Sequence, residues 1–241
     1  MKPILSQTLF FSLIALVLCI SNPTVRADAA AEKLLEGVRL GATLQHGKLQ
    51  GHLRKNGKRT PLTLTMKGED ISFQFYTNKK WGGFHMQLKE GHAKLFETVQ
   101  GKAKPFPAEK IGAAILESDV TYEDLSLRFL YWKDAKIVGQ EKIKTQDCWQ
   151  IRLRNPGNDG RYNTVDIWVH QKFGALMQVA GYNKSNQLVK RFHVTDLMTV
   201  GKDKIKTLEK MNVETYKTGT NKVTGITYLE FKEYKPERKG L

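Results

Sequence analysis

The 241-residue chain is 40% apolar, 26% charged and 10% aromatic, and 39 Lys and Arg against 24 Asp and Glu give a formal charge of +15. This composition excludes a disordered polyelectrolyte and a polytopic membrane protein, and two cysteines are too few for a disulfide scaffold. The length allows one or two domains with a sizeable core, and the charge could serve nucleic acid, an anionic surface or solubility.

The N-terminus has the pattern of a secretory signal peptide. Met1-Lys2-Pro3 is a short basic start, an apolar run follows, and Val25-Arg26-Ala27 places small or short residues where a signal peptidase reads them. We predict residues 1–27 as the signal peptide, with cleavage after Ala27 or, as a second choice, after Ala29. A retained membrane anchor is disfavoured by the polar start and small-residue end, although the run is about long enough to span a bilayer.

A lipid-anchored form is also disfavoured. The segment Leu16-Val17-Leu18-Cys19 has the frame of a lipobox, but Leu18 stands where a small residue is needed. Cleavage leaves 37 basic against 24 acidic residues, so a charge of +13 belongs to the mature chain. It also leaves Cys148 as the single cysteine, which excludes an intramolecular disulfide and favours a buried, inert thiol over a nucleophile.

Residues 28–241 are predicted to form a single domain that begins with one helix and continues in strands. Ala29–Leu40 has its apolar residues on one helical face. Beyond this helix, apolar residues alternate with polar ones, as in strands. The alternating stretches 62–66 and 71–75 predict a hairpin around Gly68-Glu69-Asp70. Asn56-Gly57 predicts another tight turn.

The middle of the chain interrupts the strand pattern. Pro105-Phe106-Pro107 ends the first group of strands, and helical spacing predicts helices over Ala108–Leu116 and Tyr122–Trp132. We predict that residues 105–132 form a helical crossover or lid. Its apolar face would carry Ile111, Ile115, Leu125, Phe129 and Trp132.

Strands resume from Trp149 and continue to the end, separated by turns such as Asn155–Gly160 and Asn183–Asn186. Both halves together give about eleven short strands, mostly linked by tight turns. The predicted fold class is therefore mainly β (α+β), with a curled antiparallel sheet that forms an incomplete barrel and helices as its plug or lid.

Catalytic and metal-binding patterns are absent from the sequence. None of the six histidines has a His-Glu-x-x-His or His-x-His spacing, and the chain has no Gly-x-Ser-x-Gly elbow, Walker loop or dinucleotide fingerprint. Glu123 and Asp124 are adjacent on a predicted helix, so their side chains should point to different faces and not share a proton. We expect no enzyme, no metal and no cofactor, and a hydrolase is the weakest hypothesis.

The basic residues are dispersed over turn tips and strand faces, which argues against a nucleic-acid partner. Two interpretations of the charge stay open. Lysines could guard strand edges against aggregation, or they could attract an anionic membrane surface or an acidic partner.

The segment Ser118-Asp119-Val120-Thr121-Tyr122-Glu123-Asp124-Leu125 resembles the Ser-Asp-x-(Ser/Thr)-Tyr-Glu-Asp-Leu signature of the outer-membrane lipoprotein-sorting family related to the periplasmic carrier LolA. The elements that follow occur in the same order as in that family. They are the strand at Cys148–Leu153, the strand ending Ile167-Trp168-Val169 and the later turns. The resemblance covers residues 115–232. The part before residue 105 is similar only in its general pattern of a helix followed by meandering strands.

The resemblance implies a LolA/LolB-like half-barrel around helices, with an apolar hollow for acyl chains and no catalytic residues. It predicts a monomeric, periplasmic lipid or lipoprotein carrier in outer membrane lipoprotein sorting, with a delivery partner at the inner or outer membrane. The residues expected to contact lipid are Phe73, Phe75, Phe84, Met86, Leu88, Trp149, Ile151, Leu153, Val165, Ile167, Val169, Phe192 and Val194. Two alternatives stay open: these side chains fill an ordinary barrel core, or the protein is an envelope sensor that recognises a lipidated or anionic partner.

Overall fold

The computed structural model describes residues 23–43, 46–77, 80–89, 92–99, 102–157, 159–201 and 204–235. Helix α1 (Pro23–Thr43) precedes six strands, which are β1 (His46–Lys55), β2 (Lys58–Lys67), β3 (Asp70–Thr77), β4 (Lys80–Lys89), β5 (His92–Val99) and β6 (Lys102–Pro105). Seven strands complete the chain: β7 (Lys136–Ile143), β8 (Gln146–Arg154), β9 (Thr164–His170), β10 (Leu176–Tyr182), β11 (Leu188–Val200), β12 (Ile205–Tyr216) and β13 (Val223–Glu233). In the described chain, no helix combines the length and apolarity that a membrane span requires.

All thirteen strands form one antiparallel sheet in the order β6-β5-β4-β3-β2-β1-β13-β12-β11-β10-β9-β8-β7. The sheet is not closed, because β6 and β7 stand at opposite edges. The predicted fold class is confirmed, with two more strands than expected. The additions are the short, wholly exposed β6 and the edge strand β7, whose alternation is broken by a register shift between Ile137 and Gly139.

The order of the strands dictates how the two halves of the chain meet. Strands β1 to β6 step outward to one edge, and β7 to β13 return from the other edge until β13 pairs with β1. The chain must therefore pass from one edge of the sheet to the other between β6 and β7. Residues 106–135, called the crossover below, make this passage.

The crossover is less helical than predicted. The predicted helices over Ala108–Leu116 and Tyr122–Trp132 are wrong in extent, because the structure has only a 3₁₀ turn at Ala108–Lys110, helix α2 at Tyr122–Ser126 and a second 3₁₀ turn at Arg128–Tyr131. A positive φ angle at Leu127 ends α2, and positive φ angles at Leu116 and Glu117 form a turn where the first predicted helix was to end.

Two other predictions concern the N-terminal region and the first turns. Helix α1 (Pro23–Thr43) is longer than the predicted Ala29–Leu40. Residues 1–22 of the predicted signal peptide lie outside the described residues. The predicted turn at Asn56-Gly57 is confirmed, with φ of 49° and 78°, the left-handed values that a two-residue hairpin of this type requires.

The main core lies between one face of the sheet, helix α1 and the crossover. Alternate side chains from both halves of the sheet join Ala31 and Leu35 of α1 and the crossover residues Val120 and Leu130 in one buried apolar cluster. Burying each large apolar side chain stabilises the fold by about 1.5–3 kcal/mol. A smaller cluster on the opposite face contains the predicted buried thiol of Cys148, whose pKa is raised by burial.

Two glycines of β1 provide a matched test of how tightly the centre of the sheet is packed. A Cβ added to Gly51 would lie 2.1 Å from the carbonyl oxygen of Glu230 in β13, whereas a Cβ added to Gly47 would meet no atom within 4 Å. We expect Gly51→Ala to lower the free energy of unfolding by about 1–3 kcal/mol, because the backbone of β13 must shift. Gly47→Ala should be neutral or stabilising. Urea unfolding measures both, and equal effects would contradict this packing.

Candidate functional site

The predicted lipid-contacting residues of the N-terminal half share one buried face. Phe73, Phe75, Phe84, Met86 and Leu88 are at most 6% exposed and belong to the main core cluster. The register of β3 against β4 pairs Phe73 with Phe84, and their rings stack with centroids 5.0 Å apart. The alternation of these strands therefore produces a continuous aromatic and aliphatic surface.

The residues predicted in the C-terminal half extend the same face. Cross-strand pairs join Trp149 to Val169, Ile151 to Ile167 and Leu153 to Val165, and all six residues contribute to the main cluster, together with Phe192 of β11. Val194 is the exception, because it is half-buried beside a register shift of β11 and does not belong to the cluster. The structure thus brings twelve of the thirteen predicted residues together.

The crossover covers this face. Ile115, Leu125, Phe129 and Trp132 lie within the cluster, whereas Ile111 is buried but lies outside it. Tyr122 packs edge-on against Phe84, with ring centroids 5.3 Å apart. The apolar hollow that the resemblance implied is therefore filled by the crossover in this conformation.

Two small cavities border the covered face. One has a volume of about 220 Å³ and lies between the β1–β2 turn and the crossover, and the other, of about 180 Å³, lies beside Phe106 and Ile111. Both are smaller than ordinary ligand pockets, which span about 300–1,000 Å³. Neither of these two cavities therefore has room for a ligand of ordinary size while the crossover is in place.

Helix α2 begins with a capping box that the signature residues supply. The side chain of Thr121 accepts a hydrogen bond from the backbone N–H of Asp124, and Asp124 Oδ2 accepts one from the N–H of Thr121. This reciprocal cap satisfies the first free backbone donors of a five-residue helix. It also orients the Asp124 carboxylate.

A buried ion pair joins that carboxylate to the sheet. Lys190 Nζ of β11 lies 2.7 Å from Asp124 Oδ2, and the two side chains are 2% and 0% exposed. The hydroxyl of Tyr162 donates to Asp124 Oδ1 at 2.5 Å. Burial and the neighbouring carboxylate raise the pKa of Tyr162 well above its usual value, so the hydroxyl stays a donor. Lys190 also donates to the carbonyl oxygen of Asp119.

Asp119 attaches the crossover to two more strands. Its carboxylate accepts hydrogen bonds from Lys55 Nζ at 2.9 Å and from the Thr227 hydroxyl at 2.9 Å. A Cβ added to Gly225 of β13 would lie 2.4 Å from Asp119 Oδ1, so this position accommodates only a glycine while Asp119 is present. The signature therefore fastens the crossover to β1, β11 and β13.

Glu123 points to a different partner from Asp124, as predicted. Its Oε2 atom accepts a hydrogen bond from the backbone N–H of Arg161 at 2.7 Å. Its Oε1 atom is buried and has no hydrogen-bond partner among the described residues. Burial raises the pKa of this carboxyl group above its usual value.

Sequence reasoning missed the partners of the signature. Lys190 was one of 39 basic residues, and no local pattern separates a buried lysine from an exposed one. Val189 and Phe192 place Lys190 in a strand, but they do not decide whether its side chain is buried. In the part of the chain that the structure describes, no group of three His, Cys, Asp or Glu side chains is arranged to hold a metal ion.

A family model described as "Uncharacterized protein" matches residues 88–238, which is more than half of the chain. The chain belongs to this family. No curated protein matches the sequence.

Solved structures show that the fold is LolA-like. A domain described as an outer membrane lipoprotein-sorting protein from Vibrio parahaemolyticus is similar with a TM-score of 0.65 and 16% identity, over 84% of this chain and 92% of that one. A LolA superfamily protein from Nitrosomonas europaea has a TM-score of 0.59 and 12% identity, over 84% and 91%. A DUF1329 family protein from Desulfovibrio piger has a TM-score of 0.57 and 17% identity, over 86% and 91%.

The buried ion pair yields a stability prediction. In Lys190→Met, Asp124 stays buried without its cation, so we expect the free energy of unfolding to fall by about 3–5 kcal/mol. Lys210→Met is the matched control, because Lys210 is 48% exposed and pairs with Asp196 at 3.5 Å. The control should cost at most about 1 kcal/mol. Urea unfolding of both variants measures the difference, and a loss below 1 kcal/mol for Lys190→Met would contradict the anchoring role.

Proposed function

We propose that the protein is a non-catalytic periplasmic carrier of lipids or lipoproteins, and that it binds acyl chains on the apolar face beneath the crossover. The observation that carries the proposal is the construction of this face. A continuous apolar surface from both halves of an open sheet is covered by a segment with little regular structure of its own. In the proposal the crossover is the lid.

The chemistry of the face suits a carrier. Apolar surface stabilises a bound acyl chain by about 25 cal/mol per Å² buried, without directional bonds, so chains of different length can bind and leave. The acyl chain would replace the crossover side chains Ile115, Leu125 and Phe129 on the same strands. One apolar occupant replaces another, so the sheet face stays covered, and the cost of opening is the lost burial of the displaced crossover side chains.

The predicted signal peptide supports a location in the periplasm, and the similarity to a described lipoprotein-sorting domain supports the class of cargo. A protein that sorts lipoproteins must receive cargo at one membrane and deliver it at another, so we propose a delivery partner at the inner or outer membrane. A stable complex with a signalling protein, without lipid transfer between vesicles, would instead favour the envelope sensor.

One end of the sheet has the composition of a membrane-contacting surface. Tyr76 and Trp81 flank the β3–β4 turn, are 41% and 63% exposed, and lie with ring centroids 5.1 Å apart. Aromatic side chains of this kind favour the interface between water and lipid headgroups. Exposed basic residues at the other turns of this end are Lys58, Arg59, Lys102, Lys184, Lys217 and Lys222. We propose that this end contacts an anionic membrane.

Removing the aromatic pair tests this contact. We expect Tyr76→Ser/Trp81→Ser to weaken binding to vesicles that contain phosphatidylglycerol at least tenfold, since two amphipathic rings leave the interface. Phe173→Ser is the control, because Phe173 is 71% exposed but lies in the β9–β10 turn at the opposite end of the sheet. Co-sedimentation at low and high salt measures the binding. Equal binding by both variants would contradict the orientation, and salt-independent binding would contradict a role for the charge.

A reversible staple tests whether the crossover is the lid. A Cβ added to Gly225 would lie 2.9 Å from Asp119 Cγ, which is compatible with disulfide geometry in Asp119→Cys/Gly225→Cys. In a Cys148→Ala background, the oxidised variant should lose uptake of a fluorescent fatty acid, and reduction should restore it. Binding titrations of the two redox forms measure the effect.

The comparison of one protein in two redox states separates closure from the loss of Asp119 itself. The single variant Asp119→Cys provides a second control, because it loses the same hydrogen bonds without forming the staple. Equal uptake by the oxidised and reduced double variant would show that the acyl chain binds without movement of the crossover, and the proposal would then fail.

A further inference from the structure

The larger of the two cavities lies where the crossover meets the first hairpin. It has a volume of about 220 Å³, and its lining residues are Leu53, Lys55, Asn56, Lys58, Thr60, Leu116, Glu117 and Ser118. Two lysines therefore border it from the hairpin and one glutamate from the crossover. The lining is mainly polar, and Leu53 and Leu116 are its two apolar side chains.

Both lysines hold acidic residues of the crossover. Lys55 Nζ lies 2.9 Å from Asp119 Oδ1, in a pair whose side chains are 28% and 8% exposed. Lys58 Nζ lies 2.8 Å from Glu117 Oε2, in a pair that is 63% and 79% exposed. An exposed pair contributes little net stability, because water and salt ions compete for both partners. A ligand anion could therefore replace Glu117 on Lys58 at small cost.

The backbone next to these pairs has unfavourable conformations. Leu116 and Glu117 have φ angles of 51° and 61°, in the left-handed region that side chains other than glycine rarely adopt. Conformations of this kind persist only where surrounding contacts hold them. Releasing Glu117 would let this end of the crossover relax away from the hairpin.

The floor of the cavity is continuous with the apolar face. Leu53 is 2% exposed and belongs to the main core cluster, and Leu116 packs against that cluster. The neighbouring Ile115 is 1% exposed within it. A molecule with its head between the lysines would therefore direct an attached chain towards Leu53 and the core.

We propose that this cavity is the headgroup site for an anionic lipid, and that the carboxylate or phosphate of the headgroup displaces Glu117 from Lys58 and so loosens the crossover beside the hairpin as the first step of opening. The inference rests on the proposed carrier function and adds the chemical class of its ligand. It also assigns a route by which ligand arrival is coupled to opening. A neutral lipid of the same chain length lacks the group that competes with Glu117.

Two probes with one acyl chain test the proposal. Oleate has an anionic head, and monoolein has a neutral head on the same chain. We expect Lys58→Gln to weaken oleate binding about two- to fivefold and to leave monoolein binding unchanged or stronger, because the variant loses the headgroup contact and the lid contact together. Glu117→Gln should strengthen binding of both probes, since it frees the lid and leaves Lys58 in place. Lys142→Gln is the control and should change neither affinity, because Lys142 is 71% exposed and lies near the β7–β8 turn at the opposite end of the sheet.

The outcomes distinguish this inference from the proposed function. Equal losses for oleate and monoolein in Lys58→Gln, or no loss for either, would overturn the headgroup site and leave the carrier intact. If neither probe binds the wild-type protein, the carrier proposal itself fails. Inorganic phosphate provides a third arm: competition with oleate at micromolar phosphate would indicate a site for free anions and overturn the lipid headgroup. Retention of oleate binding by Lys58→Arg would confirm that the positive charge is the feature required.

Discussion

The ion pair between Asp124 and Lys190 is the interaction on which the arrangement of the sheet face depends. The strand order forces the chain to cross from one edge of the sheet to the other, and the crossing segment has only short helical turns to order it. A buried carboxylate that is paired with a lysine from a central strand fixes this segment at one place on the sheet. Because removal of either partner leaves an uncompensated buried charge, the position is specified by polar contacts and not by apolar contacts alone.

The remaining contacts of the signature act around this pair. Tyr162 completes the shell of Asp124, Asp119 extends the attachment to β1 and β13, and Glu123 reaches the loop before β9. The polar contacts lie at one end of the sheet, whereas the crossover covers the apolar face with Leu125, Phe129 and Trp132. The crossover is a plug if these polar contacts persist when ligand binds, and a lid if they are released together with the apolar contacts. We propose the lid, because the surface under it extends over both halves of the sheet.

Much of the fold could be predicted from the sequence, since alternation of apolar residues is a local signal. It located the hairpin around Gly68 and twelve of the thirteen residues that now form one face. Strand β6 was missed because it is short and exposed on both sides, and β7 because a register shift between Ile137 and Gly139 interrupts its alternation. The lengths of the crossover helices were overestimated, because the helical spacing of Ile111 and Ile115 also occurs in irregular segments that bury both residues. The role of Lys190 could not be predicted, because its partner lies 66 residues away in sequence.

If the crossover is a lid, it must leave the apolar face when an acyl chain binds. Hydrogen exchange of the mature protein, with and without saturating oleate, measures this movement. The amides of Ile115 and Leu125, which donate within the crossover, should exchange faster with ligand bound, while amides of β8 and β9 keep their protection. Unchanged or stronger protection of the crossover amides at ligand saturation would contradict the account and would identify residues 106–135 as a fixed part of the core.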